Sequence, residues 1–150
     1  MSRYVTLAIF VIAVVGGGIW IGIGNPPGAW YAGLNKPPFN PPNWIFAPVW
    51  TVLYVFIAVA GWRTWTRERT GAAMKVWFAQ MALNFAWSPL FFGAHKMVFA
   101  LIVITALAIA IAVFMALSRR EDKPSAWLFA PYLAWVAFAT LLNASLIVLN

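Results

Sequence analysis

Formal charges divide this chain into five uncharged intervals, at residues 4–35, 37–62, 76–95, 97–118 and 124–150. Each can cover the ~20 residues that a helix needs to cross ~30 Å of hydrocarbon. Only 9% of the residues are charged and 64% are hydrophobic, whereas soluble domains carry about a quarter charged residues. The expected fold is therefore an all-α integral membrane protein: one bundle of five helices near 5–24, 44–66, 73–93, 97–117 and 125–148. Runs such as MVFALIVITALAIAIAVFMAL are apolar on every side, which excludes the alternation of a transmembrane barrel. The first run stays apolar from Val5 to Ile23 with no small-x-small site after it, so it reads as a retained span.

The net charge of +7 does not describe a nucleic-acid binder, because the basic residues are scattered over short loops. They follow topology instead. Arg3, Arg63, Arg67, Arg69, Lys75, Arg119, Arg120 and Lys123 fall on one side, and only Lys36 and Lys96 fall on the other. The positive-inside rule then puts the N-terminus in the cytoplasm, and the C-terminus and the 25–43 loop outside. The chain has no cysteine, so disulfides, thiolate metal sites and thiol nucleophiles are excluded. No metal cluster, Ser/His/Asp set or phosphate loop is visible. The single histidine, His95, reads as a solvated loop residue in preference to a haem ligand. The absence of carboxylates from the span interiors argues against proton-coupled pumping, including the small multidrug type.

Ten tryptophans in 150 residues are the main anomaly. An aromatic belt at headgroup level accounts for Trp30, Trp44, Trp62, Trp65, Trp77 and Trp127, all near predicted helix ends. Trp50, Trp87 and Trp135 lie deeper in their spans and are pocket candidates. Phe46, Trp50 and Tyr54 recur at helical spacing on the second span, and Gln80, Asn84, Trp87 and Phe91 on the third. Tyr132, Trp135, Ala139 and Asn143 do so on the fifth. Three helices thus present aromatic and hydrogen-bonding stripes, suited either to a large, flat, mostly apolar ligand or to amide contacts between helices. Porphyrins and sterols both meet the description of such a ligand.

Gly18 and Gly22 form a small-xxx-small pair that permits close helix approach, and Ala82 and Ala86 offer a second such seam, within the bundle or between subunits. Pro48, Pro89 and Pro131 predict kinks. The loop WYAGLNKPPFNPPNW, residues 30–44, reads as a stiff lid of extended segments. Its one cation, Lys36, is placed to meet a carboxylate or to snorkel to headgroups.

Three stretches, WYAGLNKPPFNPPNWIFAPVWTVLY at 30–54, QMALNFAWSPLFFG at 80–93 and FAPYLAWVAFATLLN at 129–143, resemble the TspO family of tryptophan-rich sensory proteins. Mitochondrial members of that family are called translocator protein or peripheral benzodiazepine receptor. The resemblance implies a five-helix bundle, commonly a homodimer, in a bacterial cell membrane. It implies binding of porphyrins such as protoporphyrin IX and haem, and of benzodiazepine-receptor ligands, with no required cofactor. It places Tyr31, Pro41, Phe46, Trp50 and Tyr54 on the pocket, together with Asn84, Trp87 and Phe91 and with Trp135, Ala139 and Asn143. Some relatives break down protoporphyrin in light, which would give Trp50 and Trp135 a catalytic part. Passive porphyrin or sterol transport is the other reading. The family's sterol motif needs a basic residue soon after a tyrosine, and none follows Tyr132.

Overall fold

The computed structural model describes residues 2–150. The described chain is helical, with six α-helices and no strands among the described residues. Helix α1 spans Arg3–Gly24 and begins at Ser2, whose hydroxyl accepts a hydrogen bond from the Tyr4 N–H. A loop with one short helix, α2 (Ala29–Ala32), leads through a 3₁₀ turn at Asn43–Ile45 into α3 (Phe46–Glu68). Then come α4 (Ala72–Ser88), a π-helical turn at Pro89–Gly93, α5 (Met97–Ser118) and α6 (Lys123–Leu149). Four helices are long and apolar enough to cross a membrane: α1, α3 with its 3₁₀ turn, α5 and α6. The predicted third span is a shorter α-helix of 17 residues followed by the π turn.

The prolines act through the backbone positions they occupy. Pro48 sits in the first turn of α3, where an N–H would have no intrahelical partner, so the predicted interior kink does not arise there. Pro89 does interrupt α4: its missing donor ends the α-ladder, and residues 89–93 adopt the wider π turn. Pro131 lies inside α6, which continues through it. After the π turn, His95 takes a left-handed φ of 59°, and the Lys96 N–H reaches back to the Leu90 carbonyl. The strained position lets the chain reverse into α5.

Helix α1 packs on α3, α3 on α6, α6 on α5 and α5 on α4, while α4 touches α1 and α3 more sparsely. The core runs along the α3–α4–α5–α6 interfaces through Ile57, Ile104, Ile111, Phe114, Phe129 and Val136, all fully buried. Close approach is set by two glycines. A Cβ at Gly18 would stand 2.2 Å from the Tyr54 ring, and one at Gly61 would stand 2.4 Å from Trp77. Trp77 is therefore a core residue, 3% exposed, with its indole N–H on the Ile57 carbonyl at 3.0 Å. This corrects its assignment to the aromatic belt: Gly61 on α3 opens the space that draws the ring inward. Trp44 and Trp127 do remain mostly exposed.

The two ends of the bundle differ. At one end Arg63 pairs with Asp122 at 2.8 Å, and Arg67 with Glu121, tying α3 to the α5–α6 turn. The 25–43 loop folds over the other.

Candidate ligand-binding site

The loop reaches the site through Tyr31 on α2. Its ring is 2% exposed and meets the rings of Phe91 and Phe92 edge-on at 6.3 and 5.3 Å. Its hydroxyl donates to Asn40 Oδ1 at 3.1 Å. Burial pushes the Tyr31 hydroxyl's pKa up, and the Asn40 contact offsets this only in part. The lid contains a helical turn at Ala29–Ala32, so the expectation of extended segments alone is corrected there. Beyond it, Asn35 and Asn150 clasp the loop to the end of α6: the Asn35 N–H donates to Asn150 Oδ1, and Asn150 Nδ2 donates to the Asn35 carbonyl, each at 3.0 Å. Trp30 stacks flat on His95, 4.2 Å between ring centres, which joins the lid to the α4–α5 turn.

Two cavities lie beneath this cover. The first is small, about 20 Å³, and enclosed by Tyr31 from the lid, Phe46 and Trp50 from α3, and Trp87 and Phe91 from α4 and its π turn. Trp135, Ala139 and Asn143 from α6 complete it, with Phe92, Leu142 and Leu146. The second, about 350 Å³, lies between α1, α3 and α4. Tyr54 and Asn84 line this chamber, and Gly18, Gly22, Asn25 and Asn43 contribute further wall. Phe46, Trp50, Trp87 and Phe92 line both spaces and form the partition between them. A Cβ at Gly22 would meet nothing within 4 Å. The glycine pair thus divides its work: Gly18 seats Tyr54, and Gly22 leaves space.

Most polar groups on the three stripes are already engaged. Asn84 accepts from the Tyr54 hydroxyl at 3.3 Å and donates to the Tyr132 hydroxyl at 2.7 Å, and Tyr132 donates onward to Gln80 Oε1 at 2.7 Å. Trp87 Nε1 donates to Asn143 Oδ1 at 3.1 Å, and Asn143 donates to the Met97 carbonyl at 3.0 Å. The amides therefore join α3, α4, α5 and α6, the helix-holding alternative weighed from the sequence. Trp135 differs: its Nε1 is buried and has no acceptor within the protein. Its ring meets Trp50 edge-on at 6.5 Å and Phe46 at 5.9 Å.

Of the predicted site residues, Tyr31, Phe46, Trp50, Trp87, Phe91, Trp135, Ala139 and Asn143 converge on the smaller pocket, and Tyr54 and Asn84 face the larger chamber. Tyr132 is fully buried and lines neither cavity; it reaches them indirectly, through its hydrogen bond with Asn84 and its edge-on contact with the Trp50 ring at 6.4 Å. Pro41 and Lys36 also lie off both linings. Lys36 Nζ donates to the Ala32 and Leu34 carbonyls at 3.2 Å each and sits 4.8 Å from the centre of the Tyr31 ring. It caps the short α2 helix, a role not foreseen from the sequence. Sequence reasoning also missed the α1 wall and Phe92. Gly22 was noticed as a packing signal, and its absent side chain was the clue to space.

The TspO/MBR family model matches residues 8–149. A "Tryptophan-rich protein TspO" from Archaeoglobus fulgidus is 41% identical over 123 residues, 81% of this chain and 80% of that protein. A "Tryptophan-rich sensory protein" from Cereibacter sphaeroides is 40% identical over 124 residues, 83% and 78% of the two chains. A "Translocator protein" from Ovis aries is 41% identical over 120 residues, 76% and 70%. With its apolar helices and its tryptophan-rich cavity walls, the chain belongs to the TspO/MBR family of multi-pass membrane proteins.

Proposed function

We propose that this protein is a membrane receptor or sensor that binds tetrapyrroles, protoporphyrin IX or haem, and benzodiazepine-receptor-type ligands in the aromatic space beneath the lid. The supporting observation is the convergence of Tyr31, Trp50, Trp87 and Trp135 from the lid and three helices on one cavity. Their ring faces suit a flat apolar ligand, and the unpartnered Trp135 Nε1 offers it a donor. Sites for small molecules occupy ~300–1,000 Å³. The smaller pocket is well below that range, so a tetrapyrrole needs the Trp50–Trp87 partition to move and join the two spaces. In this reading Ala72–Gly93 is the fifth span, the Arg-rich end faces the cytoplasm, and the protein works as a homodimer in a bacterial cell membrane.

Titration with protoporphyrin, followed by tryptophan quenching, tests the site. The Trp50→Ala/Trp135→Ala double variant should lose most of its affinity, and unchanged affinity would remove the proposal. Lys36→Ala should weaken porphyrin roughly fivefold while sparing a neutral ligand, since one cation–carboxylate contact contributes ~1 kcal/mol. Equal effects on both ligands would return Lys36 to its capping role alone.

A second reading, passive carriage of porphyrin, draws on the larger chamber, whose lining includes Ile19 and Ile23 on the exposed side of α1. Proteoliposomes should then pass porphyrin faster than empty vesicles in the absence of any ion gradient; equal rates count against carriage.

A further inference from the structure

The turn between α5 and α6 sorts its charges. Residues 119–123 read RREDK. Both carboxylates are taken by α3, Asp122 by Arg63 and Glu121 by Arg67. The three cations, Arg119, Arg120 and Lys123, line a separate groove of about 600 Å³ that shares no residue with those pairs. No carboxylate lines the groove, and among the described residues none of its cations forms a salt bridge. The rest of its lining is apolar: Met115 and Ala116 on the last turns of α5, and Ala126 on the first turn of α6. Trp127 completes it at 73% exposure.

Each part of that lining matches one part of a lipid. Three unpaired cations at the ends of two long apolar helices meet the membrane where phosphates lie, and basic pockets between such helices hold anionic headgroups. An exposed indole favours the same depth. The apolar flank suits an acyl chain and would serve no purpose for a soluble anion. We propose that this groove is a binding site for an anionic diacyl phospholipid, its phosphate held by Arg119, Arg120 and Lys123 and one chain lying along Met115 and Ala116. The inference is independent of what the aromatic cavities bind.

The test is lipid retention by the purified full chain, read by native mass spectrometry during titration with phosphatidylglycerol and, separately, phosphatidylcholine. The parent should prefer phosphatidylglycerol. The Arg119→Gln/Arg120→Gln/Lys123→Gln variant should lose that preference, each neutralised cation lowering affinity roughly fivefold. Arg119→Lys/Arg120→Lys should keep most of it, and Arg69→Gln/Lys75→Gln, altered at the neighbouring turn, should keep it in full. If the triple variant fails to fold, the three single variants carry the same test at about fivefold each. Preference unchanged in the glutamine variants overturns the site, as does an equal loss in the Arg69/Lys75 variant, which would mean diffuse surface charge. Displacement of the lipid by millimolar inorganic phosphate would assign the groove to a free anion and also overturn the proposal.

Discussion

At the lid end, the loop is held by amides and rings: Asn35 against Asn150, Tyr31 against Asn40 and Phe92, Trp30 against His95. At the opposite end, the α5–α6 turn is held to α3 by charge, through Arg63 with Asp122 and Arg67 with Glu121. The ionic end should respond to pH and salt through its two ion pairs, whereas among the described residues the lid end holds none. Ion pairs fix the turn to α3 at two points, whereas the cover over the aromatic space relies on dispersed amide and ring contacts. The difference separates an end pinned by charge from one covered by amide and ring contacts.

The strongest way to break this contrast is Trp87→Ala. The substitution removes the partition between the cavities and leaves Asn143 Oδ1 without its donor. A loss of about 3–5 kcal/mol is expected, by the cost of deleting a buried aromatic side chain. Unfolding in detergent would measure it, and salt should leave the difference from the parent unchanged.

Next in size is Asp122→Ala, which leaves Arg63 unpaired and removes the acceptor of the Ser125 hydroxyl. About 2 kcal/mol is expected from the charge-assisted hydrogen bonds, reduced by the 38% exposure of the Arg63 side chain. Burial opposes the Asp122 carboxylate, but hydrogen bonds from Arg63 and Ser125 and the charges of Arg63 and Arg67 outweigh it, holding its pKa below the ordinary range. The sign follows: this contribution is fully present above the unfolded pKa of ~3.9 and disappears as pH falls through the lower folded value. Unfolding from pH 7 down to 3 should therefore show a steeper loss for the parent than for Asp122→Ala.

The smallest effect sharpens the other side. Asn150→Ala removes the side chain that clasps the Asn35 backbone and should cost under about 1 kcal/mol, yet hydrogen exchange over residues 29–40 should quicken several-fold. Exchange that stays at the parental rate would show that the rings alone hold the cover.

Much of this arrangement was legible in the sequence. Helices were legible because charge is costly in hydrocarbon, so uncharged runs mark apolar segments regardless of their partners. The stripes on α3, α4 and α6 were legible because residues three and four apart share a face, and eight predicted residues do meet around one pocket. What remained hidden depended on contacts between helices. Trp77 lies close to a helix end and resembles a belt residue until Gly61 of another helix is set against it. For Asn84 and Asn143 the sequence left ligand binding and helix contact both open, because their partners, Tyr132 and Trp87, belong to neighbouring helices. Lys36 was read as a reaching cation, while the carbonyls it caps exist only because Ala29–Ala32 coils into a short helix.

The shared wall of Phe46, Trp50, Trp87 and Phe92 also has a consequence in time. A ligand larger than either space cannot be fully bound at the moment of encounter; it must wait for the aromatic wall to rearrange. Observed association rates should then level off at high ligand concentration, at the frequency with which the wall opens. Apparent affinity should fall below that of the open form in proportion to the fraction of molecules that are open. Substitutions that lighten the wall would accelerate capture even where they weaken the final complex.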